Sequence, residues 1–176
     1  MATKEQPARY DEYQGNIKMV GDLVREVKTC MFTTVGDDGL VSRPMYVNQQ
    51  AAFDGTLWFF TYASSRKVRD VTRTPGVNLG FALPDDDQWL SVRGTAEVVR
   101  DRARIEALWQ TLLQAFFPNG KDDPDVALLK VTAHGAELWD GQKPALAKAF
   151  ELAKGFVTRE PAQPADDVKL TLAPER

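Results

Sequence analysis

The feature that most constrains the fold of this chain is the stretch Leu57–Arg73, in which a strand pattern passes directly into a helix pattern. Residues 57–62 read LWFFTY and are almost wholly aromatic or β-branched, which predicts a buried strand. Ser64 and Ser65 are both suited to be the N-cap of a helix that follows. The stretch therefore predicts a strand, a tight turn and a short helix.

The start of this predicted helix carries positive charge where the helix dipole disfavours it. Arg66 and Lys67 occupy the first turn, next to the positive end of the dipole. From Ser64 to Arg73 there are four basic residues and one acid, although the formal net charge of the chain is −3. A bound anion would resolve the conflict, because free N–H groups, hydroxyls, a guanidinium and an ammonium together suit a phosphate monoester. A solvated basic surface helix is the alternative.

Short apolar segments separated by turn residues predict a mainly β, α+β protein. Met31–Val35 and Leu40–Val47 read as two strands joined by the Gly- and Asp-rich residues 36–39, a strong hairpin signal. Further strands are predicted at Leu57–Tyr62, Val77–Leu83, Trp89–Arg100 and Val126–Trp139. Gly94 predicts a bulge or a close backbone approach within its strand. Six strands in hairpin order favour a small antiparallel barrel with flanking helices.

Apolar residues at helical spacing predict the flanking helices. One amphipathic helix includes Ile17 and ends near Thr29, and a short one is expected at Lys143–Phe156. Another begins after Asp101 as N-cap, and its continuous stripe from Ile105 to Phe117 belongs either to the core or to a partner interface.

Length and composition limit the classes of protein that this chain can belong to. Its 176 residues suit one domain over residues 1–157, and the Pro-, Ala- and Asp-rich residues 158–176 predict a flexible tail. A pI near 5.3 argues against a nucleic-acid or membrane surface, and no apolar run suits a signal peptide or a membrane span. The single cysteine, Cys30, predicts a cytoplasmic protein without disulfides, and with one histidine, His134, a Cys/His zinc site is not expected.

The pattern Thr61-x-x-x-Ser65-Arg66-Lys67, directly after an aromatic strand, resembles the FMN-phosphate motif of the pyridoxamine 5′-phosphate oxidase-like split barrels. Within that group the chain is most similar to the general stress protein family, over roughly Val20 to Trp139. The resemblance implies a six-stranded split barrel that forms a homodimer, with two FMN sites across the subunit interface.

The resemblance also implies which residues contact the flavin. Ser65, Arg66 and Lys67 would hold the phosphate, next to Ser64. Phe60 and Thr61 would lie beside the flavin, and Arg43, Pro44 and Met45 would lie along its isoalloxazine ring. Trp89 falls on the interface strand near FMN, and Trp139 matches a tryptophan that the partner subunit contributes. For residues 43–45 an exposed edge strand with an ion-paired arginine is the alternative, because a proline within a strand favours an edge.

Three positions depart from the true oxidases of this group. The arginine and histidine that bind their substrate correspond to Ala145 and Ala147, and a lysine on their first flavin strand corresponds to Asn48. We therefore expect that this chain is not a vitamin B6 oxidase.

Two functions of different class stay open. One is a flavin-binding stress protein without turnover. The other is an FMN-dependent oxidoreductase that acts on an unidentified small molecule, with unknown catalytic residues and with Tyr46 and Tyr62 as candidate proton donors by vicinity alone. FAD, a deazaflavin or haem are alternative ligands, although the single histidine, His134, argues against haem.

Overall fold

Antiparallel strands dominate the computed structural model, which describes residues 5–48, 52–141 and 166–172. The strands are β1 (Thr29–Gly36), β2 (Gly39–Tyr46), β3 (Thr56–Tyr62), β4 (Gly76–Leu83), β5 (Gln88–Val99), β6 (Val126–Asp140) and β7 (Asp166–Thr171). The α-helices of these described ranges are α1 (Glu5–Val27), α2 (Arg66–Arg73) and α3 (Arg102–Leu108), and short 3₁₀ turns occupy Pro84–Asp86 and Thr111–Ala115. None of these helices is both long and apolar enough to cross a membrane.

The strand order defines a barrel that is not fully closed. Neighbouring strands pair in the order β2-β1-β4-β5-β6-β3, and β7 also pairs with β6. The two ends of this order approach one another, because the backbone N–H of Asn48, just after β2, donates to the carbonyl oxygen of Trp58 in β3 (2.8 Å). The predicted fold class, a mainly β split barrel with flanking helices, is therefore confirmed.

The inner face of the sheet and two helices form the main core. Phe32 of β1 and Phe59 of β3 are fully buried and meet edge to face, with ring centroids 5.1 Å apart. Val20 of α1 and Val71 of α2 belong to the same apolar cluster. Burial of these helix faces, rather than helix propensity, accounts for most of the stability of segments as short as α2.

The helix predicted to run to Phe117 ends early in the structure. Asp101 caps α3 as predicted, but the chain is extended at Trp109 and Gln110 before the next 3₁₀ turn. Two hydrogen bonds from Asn48 explain the break: its Nδ2 donates to the carbonyl oxygen of Leu108 (2.9 Å), and its Oδ1 accepts from Nε2 of Gln110 (2.7 Å). Tertiary hydrogen bonds thus replace the helical bonds that the apolar spacing predicted.

The structure adds a seventh strand within the predicted tail. Residues 166–171 form β7 against residues 135–140 of β6, and Leu170 and Leu172 are buried. Alternation of Val168, Leu170 and Leu172 is the sequence signal for this strand, which the Pro- and Asp-rich composition obscured. The helix predicted at Lys143–Phe156 and the proposed domain boundary after residue 157 lie outside the described residues.

Candidate functional site

The turn between β3 and α2 is anchored on both sides. The backbone N–H and the hydroxyl of Ser64 donate to the two carboxylate oxygens of Asp125, at 2.9 and 2.5 Å, just before β6. Thr61, which is 2% exposed, places its Oγ1 3.2 Å from Oγ of Ser65. The hydroxyl of Ser64 is thus engaged with Asp125, whereas the hydroxyls of Thr61 and Ser65 face one another at the start of α2.

The N-terminus of α2 keeps its capacity to bind an anion. Ser65 is the N-cap residue with an extended backbone, but its side chain accepts no hydrogen bond from the helix amides, and the first turn contains no acid. The first amides of a helix have no partner within the helix itself. The positive end of the dipole therefore coincides with the side chains of Arg66 and Lys67.

Arg43 reaches this helix from β2. It pairs with Phe32 across the β1–β2 ladder, and because Phe32 is fully buried, Arg43 lies on the inner face of the barrel. Its Nη1 donates to Oγ1 of Thr34 (2.8 Å), and its Nη2 lies 3.7 Å from Oδ2 of Asp70, a 3% exposed residue of α2. Arg43 is thus directed towards α2 and not into solvent.

Arg43, Arg66 and Lys67 form a group of positive charges that we call the cationic cluster. Burial lowers the pKa of Lys67, and the charge of Arg43 lowers it further. The pKa of Arg43 is lowered chiefly by burial and also by Arg66, while the carboxylate of Asp70 opposes this shift. Arg43 therefore repels both Lys67 and Arg66.

Acids neutralise the cationic cluster unevenly. Arg66 is paired with Asp38 of the β1–β2 turn (3.3 Å), and Arg43 with Asp70. Lys67 is half-buried, and no carboxylate among the described residues pairs with its ammonium group. A half-buried ammonium without a counter-ion is costly, so the site suits a ligand that brings negative charge.

The other residues predicted on β2 and β3 point in different directions. Met45 packs against the main core, on the same inner face as Arg43, whereas Pro44 is exposed. Phe60 packs on the opposite side of β3 from Thr61, with its ring centroid 5.4 Å from that of Trp109. Phe60 could therefore meet a ligand on the Thr61 side only through its backbone.

The two predicted tryptophans lie together on the outer face of the sheet, whereas Arg43 lies on its inner face. Trp89 of β5 and Trp139 of β6 are paired residues of neighbouring strands, and Trp89 is 41% exposed. Their strand neighbours Leu90 and Leu138 are buried, so both tryptophans project from the outer face. One chain therefore brings Arg43, Thr61 and residues 65–67 together and leaves both tryptophans elsewhere.

Three residues that support this arrangement escaped the sequence analysis. Asp125 and Thr34 carry no local sequence signal, because their roles depend on partners from other elements. Asp70 stands out in the sequence as the one acid among the four basic residues of the 64–73 segment, but its role depends on Thr34 and Arg43 from other elements.

Comparison with known proteins identifies the family. The model of the family described as "Pyridoxamine 5′-phosphate oxidase like" matches residues 15–163. This chain belongs to the pyridoxamine 5′-phosphate oxidase-like family, as the motif at Thr61–Lys67 predicted.

Solved structures share the fold. A Clostridium acetobutylicum protein related to general stress protein 26 is 22% identical, with 91% of this chain and 96% of that protein covered and a TM-score of 0.68. The general stress FMN/FAD binding protein of Xanthomonas citri is 25% identical, with 74% of this chain and 92% of that protein covered and a TM-score of 0.66.

A curated relative was also found by sequence comparison. Protein bli-3 of Neurospora crassa is 28% identical over 131 residues, which are 70% of this chain and 63% of that protein. The match therefore spans less than two thirds of the length of that curated relative.

Proposed function

We propose that this protein binds FMN at a site shared between two copies of the chain, and that it is a flavin-binding general stress protein and not a pyridoxamine phosphate oxidase. One observation carries the proposal: Lys67 is half-buried beside Arg43 and unpaired among the described residues, at the open N-terminus of α2. Membership of the family and the neighbour described as an FMN/FAD binding protein support a flavin as the ligand.

The donors at this site suit the phosphate of FMN. Arg66 and Lys67 would bind its oxygens, together with the first amides of α2 and the hydroxyls of Thr61 and Ser65. Arg43 would join them instead of lying along the isoalloxazine ring as the resemblance implied, because its contacts with Thr34 and Asp70 direct it to α2. A phosphate monoester carries about −1.5 to −2 charges at pH 7, which supplies the negative charge that Lys67 lacks. FAD instead carries an internal pyrophosphate with one charge on each phosphorus and no terminal phosphate, so the cationic cluster favours FMN, with FAD as the alternative. Bound flavin would supply the redox chemistry.

The outer face of the sheet supports a homodimer. Residues of four neighbouring strands lie in adjacent rows of this face: Met31, Gly80, Ala82, Trp89 and Trp139. Met31 is 46% and Trp89 41% exposed, and an exposed patch that includes large apolar side chains is typical of an interaction surface. The same face carries a groove of about 570 Å³ between β1, β4 and β5. A second copy packed here could bring its Trp139 to the flavin, whereas within one chain Trp139 points away from the inner face that carries Arg43.

The environment of Asn48 supports the absence of vitamin B6 oxidase activity. Its side chain is 1% exposed and holds the break after α3, so it faces Leu108 and Gln110. Ala145 and Ala147 lie outside the described residues. For the alternative, an FMN-dependent oxidoreductase, Tyr62 loses its place as proton donor, because its hydroxyl donates to the carbonyl oxygen of Phe116 (3.4 Å) on the face away from Thr61.

The cysteine of this chain is not suited to act as a catalytic thiol of the alternative oxidoreductase. Cys30 is buried, and burial raises the pKa of its thiol to about 12, so it stays protonated. A chain with one buried cysteine forms no internal disulfide, which supports a cytoplasmic location.

Titration of the wild-type protein with three flavins tests the choice of ligand. Binding is followed by the quenching of flavin fluorescence. We expect the dissociation constant of FMN to be at least about tenfold lower than that of riboflavin, because a charge-assisted bond to phosphate contributes on the order of 1.5–3 kcal/mol. FAD should bind more weakly than FMN. Equal affinity for FMN and riboflavin would show that the cationic cluster does not bind the phosphate.

A further inference from the structure

A buried chain of hydrogen bonds connects Arg43 to the carboxylate of Asp70. Thr34 is fully buried; its hydroxyl donates to Oδ2 of Asp70 (2.9 Å) and accepts from Nη1 of Arg43 (2.8 Å). The direction is fixed at both ends, because a guanidinium only donates and an ionised carboxylate only accepts. The three side chains come from β2, β1 and α2, so they join the edge of the barrel to the helix.

The geometry differs from that of an ordinary buried ion pair. A charged N–H donor and a carboxylate normally meet at about 2.7–2.9 Å, often in a bidentate fashion. Here Nη2 of Arg43 stays 3.7 Å from Oδ2 of Asp70, and Thr34 mediates the contact. Arg43 also makes a long contact to the carbonyl oxygen of Phe32 (3.5 Å). A guanidinium carries more N–H donors than these contacts use, so Arg43 is oriented and yet keeps donors for a ligand.

Repulsion within the cationic cluster explains why orientation is needed. Asp70 follows Lys67 by three residues, so both lie on neighbouring positions of one helix face. Burial lowers the pKa of Lys67 and the charge of Arg43 lowers it further, so the two cations repel one another. The contacts of Arg43 with Thr34 and Asp70 oppose this repulsion.

We propose that Asp70 and Thr34 are positioning residues, which hold the guanidinium of Arg43 beside Lys67 so that the phosphate end of the flavin site is formed before the ligand binds. The inference rests on the proposed flavin site and adds the residues that organise it. Neither residue touches the flavin.

Replacement of the carboxylate by its amide tests this role, because two explanations predict opposite signs. If Asp70 acts only through its charge, Asp70→Asn removes a negative charge near an anion and should tighten FMN binding. If Asp70 positions Arg43, the same change should weaken FMN binding about tenfold and leave riboflavin unchanged. The measurement is the ratio of the riboflavin and FMN dissociation constants, from fluorescence quenching at constant ionic strength.

Matched variants separate positioning from charge and from folding. Thr34→Val breaks the hydrogen bonds between Arg43, Thr34 and Asp70 without changing any charge, so it should also lower the ratio of the riboflavin and FMN dissociation constants. Thr34→Ser keeps the hydroxyl and should keep most of the wild-type ratio. Asp38→Asn removes an acid from the other side of the cationic cluster and should leave the ratio unchanged or raise it. Adding Asp70→Asn to Arg43→Ala should cause no further loss, because Asp70 acts through Arg43.

The outcomes distinguish this proposal from the proposed function. If wild-type protein does not prefer FMN over riboflavin, the phosphate site itself is wrong. If wild-type protein prefers FMN but Asp70→Asn and Thr34→Val keep or raise the ratio, only the positioning role is overturned. Loss of cooperative thermal unfolding in both variants would show that Asp70 and Thr34 stabilise the fold, and it would likewise overturn their positioning role.

Discussion

Replacing Lys67 by alanine is expected to weaken FMN binding roughly 10- to 150-fold while leaving riboflavin binding unchanged. The loss corresponds to about 1.5–3 kcal/mol for a hydrogen bond to a charged group. The effect should be large because Lys67 is half-buried and unpaired among the described residues, so its interaction with a phosphate is poorly screened. Fluorescence titrations with both flavins measure the two affinities.

Arg69→Ala is the matched control for this change. Arg69 lies on the same helix, two residues further on, but it is exposed. Its removal deletes the same charge from α2 and should change FMN affinity little, because exposed charges are screened. If Lys67→Ala weakened both flavins equally, or if Arg69→Ala had the same effect on FMN, Lys67 would not contact the phosphate.

In a dimer that combines two different single variants, Lys67→Ala and Trp139→Ala, we expect half of the FMN sites to regain wild-type affinity. Trp139→Ala should weaken FMN and riboflavin alike, by roughly tenfold, because loss of aromatic contact affects the ring and not the phosphate. In a dimer of one Lys67→Ala chain and one Trp139→Ala chain, a site built from both chains carries either both lesions or neither. Half of the sites should then bind FMN with wild-type affinity.

Co-expression with two different affinity tags gives this mixed dimer, and titration gives its stoichiometry. The position of Trp139 on the outer face, opposite to Arg43, is the reason to expect recovery. A site within one chain would leave one lesion in every site, and no wild-type affinity would appear. That result, or a monomeric mass for the wild-type protein, would contradict the shared site.

Elements with strong local signals could be predicted from the sequence. The aromatic β3 and the basic α2 follow from composition and spacing, and Val68 and Val71 are both buried as the spacing required. The bulge predicted at Gly94 is present as a register shift between Arg93 and Gly94. A side chain there would have no room, because a Cβ on Gly94 would lie 2.4 Å from the carbonyl oxygen of Thr132.

Elements that depend on distant partners could not be predicted. The break after α3 comes from the amide of Asn48, which lies 60 residues away from Leu108 in the chain. Asp70 counted in the sequence only as one negative charge, and its contacts appear once β1 and β2 are placed beside α2. The direction of Phe60, away from Thr61, likewise depends on the aromatic cluster under α3.

Gel filtration of the purified protein with FMN, followed by its visible spectrum and by light scattering of the protein peak, tests the central claim most directly. We expect flavin bands to remain with the protein at about one FMN for each chain, in a peak with the mass of two chains. A colourless peak, from a protein that also fails to quench the fluorescence of added FMN, would contradict flavin binding and leave the split barrel without its proposed function.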